Sequence, residues 1–259
     1  IASGMTLVIL TGGIDLSVGP VLALSSAVMA GLAAGGTHPL VAVLAGLAVG
    51  AALGAANGTV ITRGGVAPFV ATLGTMTIAR GLTLVYTDGR PITGLPDALT
   101  ALGTGYVGPI PAPVVVMAAV VLVTYLVLTH TPFGRFIYAV GSNEEAARFA
   151  GISVPRTKTL AYMLTGIAAA LAGLVLTGRL NSAQPTAGAG FELDAIAAVV
   201  LGGTSLAGGQ GGILGTVVGA LIIGTLDNGL NLLNVSSFYQ QVAKGAVILI
   251  AVLLDRRKK

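Results

Sequence analysis

The chain has 259 residues, 8% of them charged and 54% hydrophobic, with a net charge of +4. A soluble domain carries about 25% charged residues, so this composition excludes an ordinary water-facing globule. Apolar runs without strict alternation exclude a β-barrel as well, and the absence of Cys removes disulfides, thiolate metal sites and thiol nucleophiles.

What remains is an all-α polytopic membrane protein, forming one transmembrane domain over 1–259. Its 39 glycines suit close helix contact in lipid. A spanning helix needs about 20 apolar residues. Candidate crossings are the tail of a helix at 1–13, then 17–35, 40–61, 66–86 and 113–130. After a polar interval follow 159–179, 191–207, 212–233 and 237–254, which makes about nine visible segments. The chain opens at Ile1 inside an apolar run, which predicts a further N-terminal part upstream.

Segment 191–207 is short, opens with Glu192 and Asp194, and also reads as a re-entrant pair. Charge arbitrates. The C-terminal Asp255-Arg256-Arg257-Lys258-Lys259 predicts a cytoplasmic tail, and Arg135, Arg148, Arg156 and Lys158 predict the same side for 131–159. An even number of crossings must separate two stretches on one side, so 191–207 counts as a crossing or its topological equivalent. Working backwards, 87–112 is external, Arg63 internal and 36–39 external, which leaves 9 of the 13 basic residues inside. The loop 87–112 contains Pro91, Pro96, Pro109 and Pro111, which forbid a continuous membrane helix. It reads as an external loop open to a partner, with one short amphipathic turn at 96–102.

Gly103 to Gly108 matches the dinucleotide pattern G-x-G-x-x-G, but the proline-rich loop supplies no strand–turn–helix context. Leu201 to Gly212 is glycine-rich yet lacks the Gly-Lys-Ser/Thr of a phosphate loop, so nucleotide hydrolysis is expected elsewhere and the segment reads as a tight turn. It echoes Thr11 to Gly19, and an internal repeat stays open. Charges at membrane depth or its edges are Asp15, Arg80, Arg179, Glu192, Asp194, Asp227 and Lys244. Such groups form relays or structural pairs, and Asp227 with Lys244 is the obvious pair. His38 and His130 stand alone, so no metal or cofactor is implied. No base-reading module points to nucleic acid.

The polar interval 131–159 holds the strongest local signal. Glu144 to Ile152 forms a helix with Ser142 or Asn143 as its N-cap, and Glu144 and Glu145 lie where the dipole favours negative charge. Ala146 and Ala147 leave a smooth face, Arg148 adds charge, Phe149 and Ile152 project, and Gly151 terminates the helix. A short capped helix of this kind reads as a docking surface.

The stretches 4–19, 141–152, 180–209 and 228–240 together resemble the permease subunits of bacterial ribose-type ABC importers, across essentially the whole chain. The resemblance implies about ten helices, a location in the bacterial inner membrane, and a second permease copy in a homodimer or pseudo-dimer. It also implies an ATPase partner and an extracytoplasmic sugar-binding protein. Residues 141–152 then resemble the coupling helix, with Ser142, Asn143, Glu144, Glu145, Ala146, Ala147, Arg148 and Gly151 meeting the ATPase. Polar side chains that suit weak sugar contact are Gln184, Asn228 and Asn231, the last two on one helical face. The competing expectation is an ion-coupled secondary sugar transporter driven through Asp15, Glu192 or Asp227, for which a docking helix has no use.

Overall fold

The computed structural model describes residues 1–236, 238–242 and 244–246. Its helices are α1 (Ala2–Leu10), α2 (Val18–Ala34), α3 (Pro39–Gly64), α4 (Pro68–Thr87), α5 (Asp97–Thr104) and α6 (Ala112–His130). They continue as α7 (Pro132–Ser142), α8 (Glu144–Phe149), α9 (Val154–Leu180), α10 (Phe191–Leu201) and α11 (Ile213–Leu232). A two-residue hairpin, β1 (Tyr106–Val107) with β2 (Ile110–Pro111), lies between α5 and α6. Prolines sit in the first turns of α3, α4, α6, α7 and α9, where a missing N–H costs no helical hydrogen bond.

Five helices among the described residues, α3, α4, α6, α9 and α11, are long and apolar enough to cross a membrane. Three of the expected segments are shorter. Helix α2 has 17 residues, α1 has 9 and α10 has 11. At about 1.5 Å per residue, α10 spans only about half of a hydrocarbon core. Most of the expected segment 237–254, and the basic tail 255–259, fall outside the described residues.

The centre of the bundle is the antiparallel pair α3 and α9. Gly46, Gly50, Gly54 and Gly58 recur every four residues and form one buried stripe along α3. A Cβ on Gly50 would strike the carbonyl oxygen of Gly166, one on Gly54 the carbonyl of Tyr162, and one on Gly58 the backbone of Thr159. Gly166 has the mirror-image conflict with Gly50. The backbones therefore touch directly, which gains dispersion contact where lipid supplies no hydrophobic drive.

The remaining elements sort to two ends of this bundle. At one end Ile92 and Ala183 exchange backbone hydrogen bonds of 3.0 and 2.9 Å, and Leu95 and Leu99 bury against Ala33, Ala42 and Leu174. The loop expected to be open is thus anchored through Ile92, Leu95 and Leu99, while the hairpin's Tyr106, Val107 and Ile110 are exposed. Gly103 to Gly108 runs from α5 into that hairpin, so no nucleotide-binding turn exists there. At the other end the glycine loops after α1 and α10 meet, with Gly209 N–H donating to Leu10 O at 2.9 Å.

Between the two ends runs the disputed segment. It leaves the first end at Ala183, descends without helix through 184–190, then becomes α10 and arrives at the second end. The path between the two ends is only partly helical, which is why its apolar run looks short. Arg80 of α4 supports the unwound part, its Nη1 donating to the carbonyls of Pro185 (2.6 Å) and Ala187 (3.1 Å). Free carbonyls within a membrane domain need such a partner.

Overpacking the central stripe tests this arrangement. Gly54→Leu should lower the thermal midpoint of the detergent-solubilised protein, losing about 1–3 kcal/mol or more. Gly74→Leu on α4, where a Cβ meets nothing within 4 Å, should leave the midpoint unchanged.

Candidate functional site

Helix α8 is built almost entirely by local chemistry. Asn143, not Ser142, is the N-cap: its Oδ1 accepts the N–H of Ala146 at 2.9 Å. Ser142 ends α7 instead and donates its hydroxyl to Tyr138 O at 2.8 Å. At the other end Ile152 N–H donates to Ala147 O (3.0 Å) and Gly151 N–H to Arg148 O (3.1 Å), with Gly151 at φ +81°. This is a complete Schellman motif, and its left-handed residue explains the glycine. Glu144 binds Arg148 at 3.3 Å and Lys158 of α9 at 2.6 Å, tying α8 to the start of the next long helix.

The faces of α8 differ. Ala147 is buried with Val140 and Val154, and Ile152 folds back onto the same cluster, so neither projects outward. Ser142, Asn143, Glu145, Ala146, Arg148 and Gly151 are exposed. Phe149 is 92% exposed, an extreme value for a benzyl side chain. A rigid helix held by two caps and an ion pair thus presents one bare aromatic group.

Helix α7 is the element that the charge pattern concealed. Thr131 caps it, its Oγ1 accepting Gly134 N–H at 3.2 Å, and Ile137 and Val140 bury one side. Its C-terminal part is fixed to both glycine loops. A Cβ on Gly141 would collide with Leu10 O and approach Gly209 N, and one on Gly209 would meet Ser142. Tyr138 donates its hydroxyl to Gly211 O at 2.9 Å. Burial raises the Tyr138 phenol above its ordinary value, so it keeps the proton that it donates. The echoing stretches 11–19 and 201–212 therefore share one site under α7.

The other predicted residues are dispersed. Asp15 is 1% exposed, and its Oδ1 accepts the Ser17 N–H (2.8 Å) and hydroxyl (2.6 Å). Asn57 donates to Ser17 Oγ at 2.9 Å and accepts from Thr75 at 2.5 Å, so this network pins the α1–α2 break to α3 and α4. Lys244 Nζ lies 2.9 Å from Asp227 and 3.0 Å from Asp194, a triad rather than the expected pair. Arg179 is exposed, and Glu192 receives the Gly190 N–H at 3.3 Å. Gln184 is turned onto Ser182 (2.9 Å), Asn228 is exposed, and Asn231 accepts from Gln240 at 2.9 Å. These three amides do not converge on one cavity. A cavity of about 590 Å³ lies instead among Gly190, Leu193, Asp194, Gln240, Gln241 and Lys244. Among the described residues no group of three His, Cys, Asp or Glu side chains could hold a metal ion.

A close-packed membrane bundle with a broken crossing, a cavity beside the break and a braced helix at one end defines a membrane permease. The chain belongs to the family described as branched-chain amino acid transport system / permease component, which matches residues 1–252. It is 61% identical over 260 residues to the ribose import permease protein RbsC of Bacillus subtilis (strain 168), covering all of this chain and 81% of that protein. Identity to RbsC of Escherichia coli (strain K12) is 54% over 262 residues, covering 100% of this chain and 82% of that one. The D-allose transport system permease protein AlsC of the same strain is 45% identical over 258 residues, covering 99% of this chain and 79% of AlsC. No solved structure matches.

Removing the cap isolates the local contribution. Asn143→Ala should speed amide hydrogen exchange at Ala146 about fivefold, the equivalent of about 1 kcal/mol for a lost N-cap. The amides of α3 should be unaffected.

Proposed function

We propose that this chain is the membrane-spanning permease subunit of an ATP-driven importer of ribose or a related monosaccharide. The supporting comparison is with the ribose and allose permeases, which resemble it over nearly the full chain. That likeness favours a sugar over the branched-chain amino acids of the family description. The working unit is a single ten-helix transmembrane domain, placed in the bacterial inner membrane with its C-terminus in the cytoplasm. A second permease copy completes the pathway as a homodimer. A separate ATPase subunit hydrolyses ATP, and an extracytoplasmic sugar-binding protein delivers the substrate to the 87–112 side.

The observation that carries the mechanism is Phe149, 92% exposed on a helix with both ends capped. In this reading 131–159 is cytoplasmic, and Ser142, Asn143, Glu144, Glu145, Ala146, Arg148 and Gly151 surround a Phe149 seated in a groove of the ATPase. Ala147 holds the helix to its own bundle from behind. Closure of the ATPase on ATP then displaces α8 and biases the bundle between two states, the energy entering as differential contact with each. Asn228, Asn231 and Gln184 contribute weak, exchangeable sugar contacts, and Asp227 pairs with Lys244 within the membrane domain. The braced α8 favours this scheme over an ion-driven carrier.

Two experiments test it. Phe149→Ala and Gly151→Leu should each separate sugar uptake from ATP hydrolysis in proteoliposomes, with membrane insertion unchanged. A Cβ at Gly151 meets no neighbouring atom, but the left-handed φ of +81° strains any replacement and loosens the C-cap, so Phe149→Ala, which leaves the backbone unchanged, isolates the docking contact. Normal coupling in both variants would refute the docking role. Uptake that survives collapse of the proton gradient with ATP maintained is the expected result, and its loss would favour the ion-coupled alternative.

A further inference from the structure

Resting on that transport reading, we infer that the cavity beside the broken crossing is a sugar-contact station, walled by Asp194, Lys244, Gln240 and Gln241, that takes neutral polyhydroxylated sugars. Its volume of about 590 Å³ falls within the roughly 300–1,000 Å³ of small-molecule sites. Its position is set by the chain break: Ala189 and Gly190 close the unwound stretch, and Leu193 and Asp194 open α10. Irregular backbone at membrane depth is tolerated where it is buried in protein or lines a cavity, and here it lines one.

The chemistry of the wall fits hydroxyl groups. Lys244 Nζ lies 3.0 Å from both carboxylate oxygens of Asp194 and 2.9 Å from Asp227 Oδ2. All three side chains keep between 24% and 29% of their surface accessible, so the triad faces open space rather than packed core. Gln240 is oriented by hydrogen bonds from its Nε2 to Asn231 Oδ1 and Val235 O, both 2.9 Å, which leaves its own carbonyl to accept. Gln241 is exposed on the same wall. Vicinal sugar hydroxyls donate and accept at once, and a carboxylate–ammonium–amide row offers both functions. Asp227 lines a neighbouring cavity behind Lys244, so the wall itself carries one carboxylate and one ammonium, a balance that suits a neutral sugar. Partners already engaged with one another release a sugar readily, as passage requires.

The test uses the whole importer, this permease with its ATPase and binding protein, in proteoliposomes supplied with ribose. Asp194→Asn, Lys244→Gln and Gln241→Leu are each compared with the unaltered protein for uptake and for ATP hydrolysis stimulated by sugar-loaded binding protein. Uptake should fall about tenfold, the scale of one lost charged hydrogen bond, while hydrolysis stays within about twofold. Gln241 takes no part in the triad, so its variant keeps the test valid if the charge variants fail to assemble. Unchanged uptake in Gln241→Leu together with parallel losses of uptake and hydrolysis in the triad variants would overturn the inference, leaving the ion pairs structural. Unaltered protein that hydrolyses ATP but moves no ribose would refute the proposed function itself, a separate outcome.

Discussion

Everything in this bundle depends on how closely α3 and α9 approach. In lipid there is no hydrophobic gain from joining two helices, so stability must come from contact density and from satisfied polar groups. Gly50, Gly54 and Gly58 of the α3 stripe remove the side chains that would keep the two backbones apart, while Gly46 makes room for Met29 of α2. The pair then serves as a fixed spine. Helices α1 and α2 pack on α9, the loop after α1 is held by Asn57, and α5 seats Gly103 against Gly178.

Against that spine, the crossing through 184–190 and α10 is the least regular part of the fold. Its carbonyls lack helical partners and are met by an arginine 105 residues earlier in the chain. The helix resumes with Glu192 and Asp194 in its first turn, where the dipole favours negative charge. One acid then reaches the cavity and the other accepts Gly190 N–H. The charges that made the segment look unlike a membrane helix are the groups that organise its break.

What was legible in the chain was local or additive. The long apolar helices follow from runs of composition, and the caps of α8 follow from Asn143 and Gly151 within a few residues. The partly unwound form of the segment around 184–201 was not legible, because Arg80 and Pro185 meet only in the folded chain. Helix α7 was missed because its apolar residues are few and lie in a charged interval, although Thr131-Pro132 is a recognisable start. Asn228 and Asn231 both lie on α11, but nothing local reveals which face of a helix meets a cavity. The wall there joins Gly190, Leu193 and Asp194 to Gln240, Gln241 and Lys244, a tertiary match with no signature in either stretch.

The joint beneath α7 has a mechanical consequence. Gly141 rests on the backbone of Leu10, the last residue of α1, and of Gly209 in the loop after α10, so α7 meets both through main-chain atoms. A contact made by long side chains can absorb a shift of an ångström by changing rotamers. One made of peptide groups has no such play. A displacement of α7 would therefore be passed to the end of α1 and the loop after α10 with little backlash, as in a linkage whose pins have been fitted without clearance.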